Sequence, residues 1–325
     1  MTPGSQFVTA TQAPAFTSAP GVHAWRTYRM GYLGAGSEAG YAHLQRALLG
    51  SLCDLGYVEG ENLAVERRFS EGDYDRLEAH AAELATHKPD VVFVIGTQAA
   101  VAASRAIHKT PVVFASVAYP VAMGLVRSFA EPGTNATGVA NPSDLLSRKR
   151  VQLLKEVFPK ARQVAVIHNP RNAVEALMVA AIEEAGAKLK LSLPLLEVQS
   201  ERDFGPVFEA LRGIRPDVLY VIESPFNFMH RSRIVQSISS ERMAAVYGFT
   251  EFAEAGGLVS YSFNLVEHVR SAATFIDKIF RGAKPSELPV EQPTAFELVI
   301  NLKAAAALGI TIPQSVLLRA DRVIE

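Results

Sequence analysis

Lys88-Pro89-Asp90-Val91-Val92-Phe93-Val94-Ile95-Gly96 has a counterpart later in the chain, Arg215-Pro216-Asp217-Val218-Leu219-Tyr220-Val221-Ile222-Glu223. In each, a basic residue, a proline and an aspartate lead into a short apolar run. Neither run alternates polar and apolar residues, so each reads as a strand buried on both faces, as in a parallel sheet. A helix-like stretch follows each, then a second apolar run: Pro111-Val112-Val113-Phe114 and Ala244-Ala245-Val246-Tyr247. The preceding units match as well: a helix ending near Gly56 or Gly186, a strand, and a helix over Tyr74 to His87 or Asp203 to Gly213. Two such strand-helix units side by side make two lobes, and two lobes enclose a cleft.

Working outward, the first lobe reads as strand Tyr28–Leu33, helix Glu38–Leu55, strand Leu63–Phe69, a helix from Tyr74, strand Val91–Ile95, helix Gln98–Ile107, strand Val112–Ala115, strand Thr137–Ala140 and helix Leu145–Val157. The second reads as strand Gln163–His168, helix Ala173–Ala185, strand Leu189–Val198, helix Phe204–Arg212, strand Val218–Ile222, helix Phe228–Ser239 and strand Ala244–Phe249. Strand Leu258–Phe263, a helix over Val266 to Phe280 and the apolar stretch Phe296–Leu302 complete the chain. The expected fold is α/β: two Rossmann-like lobes with parallel sheets and right-handed crossovers. The tail after Thr250 has no partner in the repeat, and its simplest use is to return to the first lobe. That assigns 28–140 and about 250–292 to lobe 1, 141–249 to lobe 2, and 293–325 to a segment returning across the hinge. Crossings are expected near Gly138–Pro142, Gly248–Glu251 and Pro293, which together would form the hinge.

Composition narrows the classes. The chain is 49% hydrophobic and 20% charged, which is ordinary for a globular protein, and 325 residues suffice for two cores. A net charge of −1 argues against nucleic-acid binding through overall charge. The single cysteine, Cys53, rules out an intrachain disulfide and a cysteine-rich metal site. It sits beside the stripe Leu44, Leu48, Leu52, Leu55 and reads as a bystander of packing. No apolar run approaches the roughly 18 residues that cross a bilayer. Residues 1–27, rich in Ala, Thr, Ser and Pro, read as disordered, without the basic start and continuous apolar core of an export signal.

In open parallel sheets, ligands bind beyond the carboxyl ends of the strands, where helix N-termini present free N–H groups. The segments at those ends supply the candidate ligand-binding residues: Gly36 and Ser37, Thr97 and Gln98, Ser116 and Tyr119, Asn169, Glu223, Ser224 and Phe226, Glu251, and Tyr261. N–H groups and hydroxyls suit a carboxylate, Glu an ammonium, and Tyr or Phe an apolar side chain. Each residue also has a plain structural use. Thr97 and Ser224 can cap helices, Asn169-Pro170 is a good turn, Glu223 can pair with an arginine, and Tyr119 can pack as a lid. No catalytic residue, metal site or cofactor is expected. Gly34-Ala35-Gly36 starts like a dinucleotide fingerprint but has Ala39 where the third glycine belongs. There is no phosphate-loop lysine and no serine between elbow glycines, and the eight histidines are scattered.

Several longer blocks resemble the ABC transporter substrate-binding protein family related to tryptophan/tyrosine-binding proteins. They are Gly56-Tyr57-Val58-Glu59-Gly60-Glu61-Asn62, Glu71-Gly72-Asp73-Tyr74-Asp75-Arg76-Leu77, Glu131-Pro132-Gly133-Thr134-Asn135-Ala136-Thr137-Gly138-Val139, Glu251-Phe252-Ala253-Glu254-Ala255-Gly256-Gly257-Leu258-Val259-Ser260-Tyr261, and the ending from Gln292-Pro293-Thr294 to Ala320-Asp321-Arg322-Val323-Ile324. The resemblance spans about residues 28–325. It implies a type I periplasmic-binding-protein fold, a periplasmic location, and a small-molecule solute handed to an ABC permease driven by its ATPase subunit. The chain departs from the family's pattern at Tyr119, Ser224 and Gly248, where acids are common, which weakens the case for an ordinary amino-acid ligand: either Glu223 and Glu251 compensate, or the ligand is uncharged or purely anionic.

The expected function is the solute-binding component of an ABC importer, taking an amino acid or an aromatic or carboxylate-bearing compound. The expected form is a monomer that neither binds nucleic acid nor spans a membrane. Two alternatives stand beside it. One is an intracellular two-lobed ligand sensor, which lacks room ahead of the lobes for a DNA-reading helix-turn-helix. The other is a cleft enzyme, which would need a base or nucleophile that the sequence does not display.

Overall fold

A computed structural model describes residues 26–325. The expected disorder of 1–27 lies outside the described residues apart from its last two positions.

The first unit runs β1 (Tyr28–Gly34), α1 (Ala42–Asp54), β2 (Leu63–Phe69), α2 (Leu77–Thr86), β3 (Val91–Ile95), α3 (Thr97–Ala106), β4 (Val112–Ala118) and β5 (Ala136–Asn141). All pairings are parallel, in the order β2-β1-β3-β4-β5. Every residue of β3 and β4 is buried, which explains their unbroken apolar sequence. The second unit runs α4 (Ser143–Val157), β6 (Val164–His168), α5 (Ala173–Lys188), β7 (Leu195–Glu197), α6 (Phe204–Ile214), β8 (Val218–Val221), α7 (Pro225–Met229), α8 (Arg231–Ser240), β9 (Ala245–Tyr247), α9 (Thr250–Glu254) and β10 (Val259–Ser262). Its sheet follows the same plan, β7-β6-β8-β9-β10, so the sequence repeat is a repeat of topology. The last elements are α10 (Leu265–Phe280), β11 (Glu297–Asn301), α11 (Leu302–Leu308), α12 (Gln314–Leu317) and β12 (Arg322–Ile324).

The tail departs from expectation. Strand β10 does not return to the first lobe: Val259 and Ser260 pair in parallel with Val246 and Tyr247 of β9, completing the second sheet. Only α10 goes back. Its buried stripe, including Leu265, Val269, Ala272, Ala273, Ile276 and Phe280, packs on α1 and on β3, β4 and β5. Residues 290 and 291 then run along the first sheet, where Val290 N donates to Phe129 O (2.7 Å) and Glu291 N to Gly138 O (3.0 Å). The chain next re-enters the second sheet as β11, antiparallel to β10, with β12 beside it. This reverses the expectation of wholly parallel sheets. A chain arriving from the other lobe enters at the opposite end of the strand, so it must run antiparallel. The crossings lie at Asn141–Ser143, at Phe263–Asn264 rather than near Gly248–Glu251, and at 291–296.

Candidate functional site

Both sheets change winding direction between their first and third strands, β1/β3 and β6/β8. There the following helices leave toward opposite faces and open a crevice. The carboxyl ends of the strands of both sheets meet around one cavity of about 40 Å³. Gly96, Thr97 and Gln98 reach it from the β3–α3 turn, Ser116 and Ala118 from β4, and Asn141 from β5. From the other lobe come Asn172, Glu223, Ser224, Phe228 and Phe249.

The first-lobe wall rests on unusual backbone. Gly96 has φ 86 and ψ 158, a region open only to glycine, and it offers no side chain to cap α3. The N–H groups of the first turn of α3 are thus left facing the cavity. Thr97 does not cap that helix either: its Oγ1 accepts from Ala118 N (2.9 Å), tying α3 to β4. Ser116 sits at a shift in register between β4 and β5, with φ 57, which turns a strand residue toward the cavity.

The second-lobe wall is built on buried charge. Arg150, in the middle of α4, is fully buried and Glu223 nearly so, with side-chain exposures of 0% and 2%. The guanidinium pairs with Glu223 Oε2 and donates to Tyr261 O (2.6 Å), Gly248 O (3.0 Å) and Tyr220 Oη (3.3 Å). Burial, the largest single influence, would weaken the Arg150 charge, but Glu223 and Tyr220 together more than reverse it, so the guanidinium holds its proton more firmly than in water. Burial pushes the Glu223 carboxyl up, and Arg150 pulls it back only in part. Glu223 Oε1 has no hydrogen-bond partner. The Ser143 hydroxyl, which also faces this carboxyl, donates instead to Asn141 Oδ1.

Next to it, Glu175 holds the β6–α5 turn. It accepts from Asn169 N (2.6 Å) and Asn172 Nδ2 (3.0 Å). Burial pushes its carboxyl up to about 8, against hydrogen bonds from Asn169, Asn172 and Ser224 that lower it. Asn172 caps α5 through Val174 N (3.1 Å) and accepts from Gln98 Nε2 (2.5 Å), which joins the two lobes across the cavity. The apolar side is closed by Phe228, edge-on to Phe249 at 5.4 Å between centroids and 5.9 Å from Tyr41.

Of the residues singled out from the sequence, Thr97, Gln98, Ser116, Glu223 and Ser224 line this cavity. The other seven lie elsewhere. Gly36 lies against the Tyr41 ring and accepts from Glu71 N, while Ser37 Oγ accepts from Gly40 N. Tyr119, at φ 50, packs against the second-lobe core. Asn169 closes its own turn onto Arg171 N (3.0 Å), and Phe226 stacks on Phe204 and lies over His230. Glu251 faces His43 at 3.7 Å on the far side of α9, and Tyr261 contributes only its carbonyl, to Arg150. Ser224 also caps α7, accepting from Asn227 N (3.2 Å), so the structural use foreseen for it operates as well.

Tyr41, Asn141, Asn172, Phe228 and Phe249 line the cavity without having been singled out. Arg150 was missed too, though it left a signal: a charge inside the buried stripe Leu146, Leu153, Leu154, Val157 of one helix. Cys53 is exposed. Among the described residues, no cluster of His, Cys, Asp or Glu is arranged to hold a metal ion, and no helix is long and apolar enough to cross a membrane.

Comparison with known proteins places this geometry. A family model described as ABC transporter substrate binding protein matches residues 38–324. A tyrosine-binding protein of Clostridioides difficile (strain R20291) is 24% identical over 266 residues, 81% of this chain and 76% of that protein. A solved structure described as an ABC domain in complex with L-Trp from Streptococcus pneumonia superposes with a TM-score of 0.84 at 25% identity, covering 92% of this chain and 100% of the other. A ligand-free, open substrate-binding protein of Clostridium difficile superposes with a TM-score of 0.66 at 22% identity, covering 92% and 99%. The chain belongs to the ABC transporter substrate-binding protein family, with the two-lobed type I periplasmic-binding-protein fold.

Proposed function

We propose that this family member is the solute-binding component of an ABC importer. It would trap a small amino-acid-like solute between its lobes, on the periplasmic side, and present it to a membrane permease powered by an ATPase subunit. The observation that carries the reading is the cavity walled by both lobes. Gln98 of one touches Asn172 of the other, with Thr97 and Ser116 facing Glu223 and Ser224. A solute that contacts both walls stabilises the closed form over the open one, and that difference is the whole of the mechanism. The relatives support an amino acid: one is named for tyrosine and another holds L-Trp. The closer superposition on the L-Trp complex than on the open structure supports a closed arrangement here.

Native mass spectrometry of the purified chain, followed by denaturing release, tests the reading. An intact solute released at one per chain is the expected result. A released molecule chemically altered from an added candidate would point to an enzyme and end the importer assignment.

A further inference from the structure

The cavity is small for a family whose named ligands are aromatic. About 40 Å³ holds roughly three waters at about 10–15 Å³ each. The space a ring would need is taken by side chains of the protein itself: Tyr41, Met178, Phe228, Phe249 and Leu265, all buried, line the cavity. The charged groups left for an occupant are equally restricted. Four of the five Arg150 N–H donors are engaged by Glu223, Gly248, Tyr220 and Tyr261, and Arg150 itself does not line the cavity, so it is poorly placed to meet a solute carboxylate. The N–H groups at the uncapped start of α3, beside the Ser116 hydroxyl, are the remaining anion site. On the opposite wall, Glu223 has one oxygen held by Arg150 and one without a partner. Gly248 fixes this arrangement. A Cβ there would lie 2.6 Å from Glu223 Cβ and 2.8 Å from Glu223 N, so an acid at 248 and the buried Glu223 exclude each other.

Resting on the reading of this cleft as a solute site, we propose that it takes a compact zwitterion, an aliphatic α-amino acid of the size of alanine or serine, and excludes aromatic amino acids. The ammonium sits against the free oxygen of Glu223. The carboxylate sits at the start of α3 with Ser116. Phe249 and Phe228 set the size limit.

Calorimetric titration of the full chain, freed of carried solute, with L-alanine, L-serine, L-lactate, L-tryptophan and L-tyrosine tests this. L-Alanine or L-serine should bind at least tenfold more tightly than either aromatic amino acid. L-Lactate, which lacks the ammonium, should bind at least tenfold more weakly than L-alanine. Phe249→Ala should narrow the gap between L-tryptophan and L-alanine, and Ser116→Ala should weaken L-alanine without changing that ratio. Tighter binding of L-tryptophan or L-tyrosine by the unaltered chain would overturn the size limit and leave the importer reading standing. Equal binding of L-lactate and L-alanine would overturn the role of Glu223. Failure of all five, with a different solute released in the native mass spectrum, would overturn this inference alone. Failure of all five with no solute found by any route would take the importer reading with it.

Discussion

Arg150 and Glu223 are the most consequential pair of side chains in the molecule, because both charges are out of water. Removing one partner of such a pair leaves the other buried and uncompensated, which typically costs about 3–5 kcal/mol. Arg150→Met should therefore lower the unfolding free energy obtained from urea titration by an amount in that range. Adding Glu223→Gln should recover much of the loss, because the stranded charge is gone; a double variant no more stable than Arg150→Met would show that packing, not charge, sets the cost. Glu175 makes a second prediction, with a definite sign. Its carboxyl is raised to about 8 by burial, while the unfolded chain titrates near the ordinary 4.5. Between those values the folded state keeps a proton that the unfolded state has lost. Stability from this group is thus fully present below the lower value and falls as pH rises toward the upper one, by on the order of 4 kcal/mol. Unfolding midpoints measured from pH 4.5 to 8.5 should decline, and Glu175→Gln should flatten that slope at the cost of turning an amide N–H toward Asn169 or Asn172. Sequence reasoning reached five cavity residues because each lies in the last residues of a strand or just beyond its carboxyl end. It could not place Tyr119, Glu251 or Tyr261, which share that position but face other ways. Orientation there depends on a left-handed φ, a short helix and a sheet pairing that no local pattern encodes.

At the scale of elements, the unbroken apolar run Val91–Ile95 has the expected strand bounds, and so does the more polar Leu63–Phe69. The misreadings fall where burial is one-sided or a turn intervenes. The expected strand Leu189–Val198 shrinks to Leu195–Glu197, because α5 runs on to Lys188 and the chain turns at Lys190, with φ 55. The short helices α9 and α12 carry too few turns for a periodicity to show, and partners of the tail strands were invisible because pairing between distant segments leaves no local mark. Strand β5 offers a sharp test of packing. Gly138 has φ 145, and a Cβ there would lie 2.0 Å from Phe114 O and 2.7 Å from Phe114 N. Those atoms are backbone of the neighbouring strand and cannot step aside. Gly138→Ala should cost about 3 kcal/mol or more, or abolish folded protein, consistent with strain added to a close backbone approach. Gly213, inside α6, has open space around it. Gly213→Ala should raise stability by about 0.5–1 kcal/mol. Thermal unfolding of the two variants should move in opposite directions; movement in the same direction would contradict the packing described for β4 and β5.

For the whole molecule, the question is which contacts between lobes hold the closed form. Two hydrogen bonds bridge them near the cavity, Gln98 to Asn172 at 2.5 Å and Arg171 to Asp75 at 3.4 Å, beside the longer His43–Glu251 contact at 3.7 Å. They differ in surroundings. Arg171 and Asp75 are 64% and 81% exposed, so water and salt screen them and side-chain entropy opposes their pairing. Gln98 meets an Asn172 that is buried, already fixed as the cap of α5 and supported by Glu175, so little entropy is lost in making the bond. A neutral hydrogen bond of this kind contributes about 0.5–1.5 kcal/mol net, which shifts the closed-to-open ratio about 2- to 12-fold. On the proposed reading the solute binds the closed form, so its apparent affinity should fall by up to the same factor in Gln98→Ala. Arg171→Ala should change affinity less, and the little it does change should vanish in high salt. Calorimetry with whichever solute is released in the native mass spectrum measures both, and small-angle scattering of the ligand-free variants reads the opening directly. An affinity untouched by Gln98→Ala but lowered by Arg171→Ala would mean that the rim, not the cavity wall, decides closure, and the solute's share of the work would have to be sought in the apolar closure around Phe228.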